Sequence, residues 1–161
     1  MINKELVSEY FDYRDGYLYW KKVTHPNKSY LIGQEVGFIH STGYRHVTWL
    51  GKQHKVHRLI YLFVHGYMPK EIDHINGNRA DNSIENLREV TRSQNQCNKT
   101  MCSSNTSGYK GVSWHKRANK WSIRLTKNGE IKHFGYYDDL ELAGLVALEA
   151  RNLHFGKYNR I

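Results

Sequence analysis

The sequence predicts an α+β protein. An N-terminal β-meander and a helix lead into a strand–loop–strand–helix motif, followed by a small three-stranded antiparallel sheet packed on one helix. Three observations carry this expectation. Short strand-like runs are punctuated by Asp15-Gly16, Asn76-Gly77 and Asn128-Gly129, pairs that favour tight turns. Two segments, over 57–66 and after Asp138, read as helices with apolar residues on one stripe. Between the two halves, residues 99–108 (KTMCSSNTSG) have little apolar content and read as a linker. The expected division is a first domain over 1–98, a linker over 99–108 and a second domain over 109–161.

Taken in order, the chain opens on a short polar helix-like piece. A hairpin follows, with Phe11 and Tyr13 before the Asp15-Gly16 turn and Tyr17-Leu18-Tyr19-Trp20 after it. Residues 23–34, with Pro26 and Gly33, read as loop. Val36 to Ile39 is a short strand. Tyr44 to Leu50 alternates, with Val47 and Trp49 on one side and Tyr44, His46 and Thr48 on the other. Gln53 to Val56 is the next strand. Lys21, Lys22, Arg45, Lys52 and Lys55 of this meander can touch phosphate or can form a solvated face; the sequence favours neither. In the helix over 57–66, Leu59, Ile60, Leu62 and Phe63 give the apolar stripe, and Gly66 fits a C-terminal stop. His57 opens this helix and reads as a packing or supporting residue.

The 161 residues carry a formal net charge of +9. Residues 1–102 hold 14 Lys+Arg against 10 Asp+Glu, and residues 103–161 hold 10 against 5, so both halves can meet a polyanion such as nucleic acid. Two cysteines make no disulfide framework and point to a reducing cytoplasm. Cys97 and Cys102 lack the second pair that a zinc site needs. No apolar run is long enough to span a bilayer.

The chemistry is concentrated in Glu71 to Lys99, EIDHINGNRADNSIENLREVTRSQNQCNK. Asp73 and His74 end one strand, and Asn86 to Val90 form the next. Thr91 and Gln94 then make a capping-box pattern that starts a helix carrying Asn95. Neighbouring strand residues face opposite sides, so Asp73 and His74 are expected to converge only if the strand breaks up into the Asn-rich loop. The carboxylate of Asp73 and the amide oxygen of Asn95 are hard ligands that suit Mg²⁺ or Mn²⁺. A neutral imidazole at His74, with an unperturbed pKa of about 6.5, suits proton abstraction from water. Together they suggest metal-assisted phosphodiester hydrolysis.

Residues 57–99 resemble the homing-type HNH endonucleases of the ββα-metal superfamily. The resemblance lies in Val56-His57-Arg58-Leu59, Asp73-His74-Ile75-Asn76-Gly77-Asn78, Asp81-Asn82, Glu85-Asn86-Leu87 and Thr91-Arg92-Ser93-Gln94-Asn95. It implies that His74 is the general base, that Asp73 and Asn95 hold the divalent ion, and that Asn86 braces the loop carrying His74. Asn95 stands where many relatives have His. The resemblance further implies double-stranded DNA as substrate, 5′-phosphate and 3′-hydroxyl products, a phage setting inside a bacterial host cell, and a monomer that nicks or a homodimer that cuts both strands.

In the second domain, Tyr109 to His115, Lys120 to Lys127 and Ile131 to Tyr137 are strands. Asp138 is expected to cap the last helix, which carries Leu142, Leu145, Val146, Leu148 and Leu153. Alternation places Val112, Trp114, Trp121, Ile123 and Leu125 against the helix and Ser113, His115, Ser122, Arg124 and Thr126 on the open face. Lys110-Gly111-Val112, Lys120-Trp121 and His133-Phe134-Gly135-Tyr136-Tyr137 make this domain similar to the Apetala-type, ethylene-response-factor-like DNA-binding domain. That likeness implies DNA contacts from Ser113, His115, Arg124, Thr126 and His133, where plant members carry mostly Arg and Trp. Two other readings fit the same residues: a DNA-binding regulatory or architectural protein with a vestigial nuclease motif, and a module directed to RNA or another protein.

Overall fold

A computed structural model of the chain describes residues 2–97 and 101–158. Residues 99 and 100 of the expected linker and 159–161 of the expected second domain lie outside the described residues. The chain divides into two compact units, Met1–Val90 and Thr91–Ile161. It is a mixed α+β protein built on small antiparallel sheets.

The first unit opens with α1 (Lys4–Tyr10), whose N-cap Asn3 accepts a hydrogen bond from the Leu6 amide. Strands β1 (Phe11–Arg14) and β2 (Tyr17–Trp20) form the expected hairpin. Asp15 and Gly16 both take positive φ, 48° and 86°, as a tight two-residue turn requires. Within the expected loop, Pro26–Leu31 winds into a 3-10 turn with proline at its start.

A second sheet follows, in the order β3 (Phe38–Ile39), β4 (Arg45–Trp49), β5 (Lys52–Lys55). β3 is shorter than the expected Val36–Ile39 because Gly37 is left-handed, at φ 87°. A Cβ there would lie 2.4 Å from the His46 carbonyl oxygen. Gly37→Ala should therefore cost about 2 kcal/mol or more of stability in urea unfolding, combining strain and a clash. Gly51→Ala, at φ 73° with nothing within 4 Å, should cost less. Equal losses would show that the clash is relieved. In β4, Val47 and Trp49 enter the core as expected, but His46 on the other face is buried too. His40 stacks on it with ring centroids 4.8 Å apart.

Helix α2 (Val56–His65) ends at left-handed Gly66. Its apolar stripe, Val56, Leu59, Ile60 and Leu62, packs with Val7, Phe11, Leu18 and Trp49 in one core. β6 (Glu71–His74) pairs antiparallel with β7 (Leu87–Val90), and Ile72 and Leu87 join that core. The two strands that carry the site are thus fixed to this core.

The second unit starts with α3 (Arg92–Cys97). Its capping box is reciprocal: the Thr91 amide donates to Gln94 Oε1 and the Gln94 amide donates to Thr91 Oγ1. Strands β8 (Val112–His115), β9 (Lys120–Lys127) and β10 (Glu130–Tyr137) form a sheet in the order β10-β9-β8, covered by α4 (Leu140–Phe155). The helix N-cap is Asp139, not Asp138. Asp139 accepts from the Leu142 amide, whereas Asp138 pairs with Lys120. The helix buries a small-residue face, Ala143, Gly144, Ala147 and Ala150, and leaves Leu142, Leu145 and Leu153 exposed. Tyr109 lies so close to Gly144 that a Cβ there would clash, at 2.5 Å. Trp114, expected in the core, is 42% exposed on edge strand β8, edge-on to Trp121.

Candidate active site

β6 stays paired through His74↔Leu87, so the expected break-up of the strand does not occur. Regular alternation turns Asp73 and His74 to opposite faces. Asp73 stands across from Arg88 and accepts two hydrogen bonds on Oδ2, from Nε at 3.0 Å and Nη2 at 2.8 Å. His74 packs edge-on against His57, with ring centroids 4.9 Å apart. Its Nε2 lies 3.1 Å from Asn82 Oδ1. An amide oxygen only accepts, so with the Asn82 amide oriented this way the ring hydrogen sits on Nε2 and the lone pair on Nδ1.

The loop between the strands is tied at its base by one side chain. Asn86 Oδ1 accepts from the Asn76 amide at 3.0 Å, and its Nδ2 donates to the Asp81 carbonyl at 2.8 Å. The Ile75 amide also donates to the Asn86 carbonyl, at 2.9 Å. Across the loop, Asn76 Nδ2 donates to Asp81 Oδ2, and the Ser83 hydroxyl donates to Asp81 Oδ1. The Ser83 bond heads the causes that hold the Asp81 carboxyl below its ordinary range. Asn82, 2% exposed, is thereby presented to His74 from a loop with little freedom.

Two further rings complete the pocket. His57, in the first turn of α2, is buried, and Tyr44 lies 5.3 Å from it and 5.8 Å from His74. Burial pushes His57 down to about 3, helped by His74 and by the charges of Lys55 and Arg58. Burial also lowers His74, partly offset by its bond to Asn82 and the charge of Asp73. Both rings are neutral near neutral pH. A base with a lowered folded pKa binds fewer protons than the unfolded chain. The stability contribution of His57 is therefore complete above about pH 6.5 and is lost as pH falls toward 3. Unfolding free energy should fall by up to about 1.4 kcal/mol per pH unit in that window, and the slope should flatten in His57→Phe. An equal slope in both proteins would remove His57 as its source.

Asn95 lies in α3 of the second unit, its amide bonded to the Thr91 carbonyl at 2.9 Å. In that unit the residues expected to touch DNA share one face. Arg124 pairs with His133, and Ser113 lies beside Ser122, which is buried and bonded to His133 Nε2 at 3.2 Å. Ser113, Arg124, Thr126 and His133 are exposed and His115 is half-buried. The sequence reading missed Tyr136. A bulge between His133 and Tyr136 shifts the strand's phase, and Tyr136 joins His133 and His115 at ring distances of 4.6 and 5.0 Å. Gly135, at φ 106°, was the available signal. Nothing in the local pattern pointed to Tyr44, which enters from a hairpin some thirty positions earlier in the chain.

The buried His74 at the end of β6 and the loop held by Asn86 lie in one continuous segment of the chain. The sequence model of the HNH endonuclease family matches residues 54–97. The chain belongs to this family. It is 35% identical to Protein 3.8 of Escherichia phage T7, over 65% of this chain and 87% of that protein. It is 37% identical to an uncharacterized HNH endonuclease of Acanthamoeba polyphaga mimivirus, over 64% of this chain; the match spans 55% of that protein, about half its length. No solved protein structure matches the chain.

Nucleases of this family generally use divalent metals. Asp73 offers a hard oxygen donor in a buried setting, which suits such an ion. Among the described residues no group of three or more His, Cys, Asp or Glu converges, so an ion at Asp73 would be held by few carboxylates and largely by water and substrate oxygens. No helix among the described residues is long and apolar enough to cross a membrane.

Proposed function

We propose that the protein is a metal-dependent DNA endonuclease of the homing type that hydrolyses phosphodiester bonds. The observation that carries this is the neutral His74 ring, held by Asn82 and His57 at the mouth of the Asn86-braced loop within the family-matched segment. His74 takes a proton from water through its lone pair. The hydroxide oxygen bonds to phosphorus as the bond to the 3′ oxygen breaks, and that oxygen is protonated from solvent, leaving 5′-phosphate and 3′-hydroxyl ends. Asp73 and Asn95 would hold Mg²⁺ or Mn²⁺, which supplies positive charge to the developing oxyanion. Asn86 is a positioning residue that keeps the loop closed. One catalytic centre per chain makes a monomer a nicking enzyme and a homodimer a double-strand cutter.

The second unit would bind duplex DNA through Ser113, His115, Arg124, Thr126 and His133, with Tyr136 added to that face. A β-sheet can enter the major groove in this way. The host-cell cytoplasm is the compartment in which a phage-encoded member would meet its DNA.

One observation favours the alternative, a DNA-binding regulatory protein with a vestigial motif. Arg88 already neutralises Asp73 with two hydrogen bonds. A plasmid relaxation assay separates the readings. Supercoiled DNA with Mg²⁺ or Mn²⁺ should yield nicked or linear product that EDTA abolishes. Persistent, salt-sensitive duplex binding with no cleavage of any DNA, including the genome that encodes the protein, would favour the regulator.

A further inference from the structure

The five meander cations singled out in the sequence are not equivalent. Arg45 pairs with Glu35, Lys22 pairs with Glu9, and Lys21 donates to the Ser8 carbonyl. Lys52 sits at the turn end of β5, beside Leu50-Gly51. Lys55, at the other end of β5, is exposed and forms no ion pair among the described residues. Its Nζ lies 4.4 Å from the centroid of the Tyr44 ring. A sixth cation, Arg79 of the Asn-rich loop, reaches the same ring, with its guanidinium carbon 5.0 Å from the centroid. Arg79 Nη1 donates to the Thr42 carbonyl at 2.9 Å, which fixes the side chain, and it too lacks a carboxylate partner among the described residues.

Two exposed cations drawn to one aromatic ring add their positive charge at one place, and the ring offsets only part of it. The same ring packs against His57 and His74. The uncompensated charge therefore stands one ring away from the proposed base. A phosphodiester supplies the missing charge: its oxygens accept from both an ammonium and a guanidinium. We infer that Lys55, Arg79 and Tyr44 form a backbone clamp that seats the DNA phosphates flanking the bond presented to His74. This assignment rests on the nuclease reading for its purpose, but not for its chemistry. Tyr44 acts as a positioning residue, holding the two cations at the pocket rim.

The test is equilibrium binding of a fluorescent DNA duplex by the full chain in EDTA, across a salt titration. Each phosphate contact contributes about 0.9 to the slope of log affinity against log salt. Lys55→Gln combined with Arg79→Gln should lower that slope by about one to two and weaken binding roughly tenfold at low salt. Both side chains are exposed, so the variant should still fold, with at most the small loss of the Arg79–Thr42 hydrogen bond in thermal unfolding. Lys28→Gln, in the exposed Pro26–Leu31 turn, removes one charge away from the ring and should leave the slope unchanged. A double variant with the parent slope, or a Lys28→Gln protein that loses as much, would overturn the clamp. Cleavage by the parent protein is scored separately with metal present. Cleavage with an unchanged slope would sink the clamp alone. A slope loss without cleavage would sink the nuclease reading and leave the clamp standing.

Discussion

His74→Ala should slow single-turnover strand cleavage by about 10²–10⁴-fold, the range expected when a positioned general base is removed. Duplex affinity should change by no more than a small factor, because His74 is buried and contributes no net charge near neutral pH. The remaining rate would report what metal and binding contribute without the imidazole. The pH profile supplies a second reading. A base works in its neutral form, and burial lowers the His74 pKa. Cleavage should hold a plateau above about pH 6.5 and fall only at lower pH. Asn82→Leu should reduce the rate by less than His74→Ala does, since the ring stays but its proton is no longer fixed. Unchanged cleavage by His74→Ala would remove His74 from the chemistry.

Arg88→Leu should destabilise the metal-free protein by about 1.5–3 kcal/mol, the cost of removing charge-assisted hydrogen bonds from a largely buried carboxylate. The side chains of Arg88 and Asp73 are only 16% and 9% exposed, so water gives the remaining carboxylate little relief. The double variant Arg88→Leu with Asp73→Asn should recover much of the loss, because no charge is left buried. Mn²⁺ should raise the unfolding temperature of Arg88→Leu more than that of the parent, since the guanidinium no longer competes with a cation for Asp73. Thermal unfolding with and without Mn²⁺ measures all of this. A double variant no more stable than Arg88→Leu alone would show that the guanidinium acts through packing rather than charge.

Much of this was legible in residues that act locally. The Asp15-Gly16 turn, the Thr91/Gln94 capping box and the Gly66 stop are decided by a few neighbouring side chains, and the structure forms each of them. Features that depend on tertiary competition were harder to read. Leu142, Leu145 and Leu153 advertise an apolar helix face, yet the buried face is Ala143, Gly144, Ala147 and Ala150, and Tyr109 leaves no room for a Cβ at Gly144. Asp73 and His74 were expected to meet through a broken strand. Continued pairing to Arg88 and Leu87 keeps the strand intact and separates them. The partners of His74 were also hidden, since Asn82 reads as loop chemistry and Tyr44 lies in the loop that leads into β4, far away in the chain.

The hydrogen bond from Arg79 to the Thr42 carbonyl has a consequence for modularity. The family-matched segment begins at residue 54, but Tyr44, the roof of its histidine pocket, lies upstream of it. The signature segment is therefore not a self-sufficient cassette. Grafted elsewhere, it would carry the base and the braced loop but leave the pocket open on one side. A host protein would have to supply both an aromatic roof and a carbonyl to anchor the loop arginine, so the transferable unit extends back through the preceding hairpin.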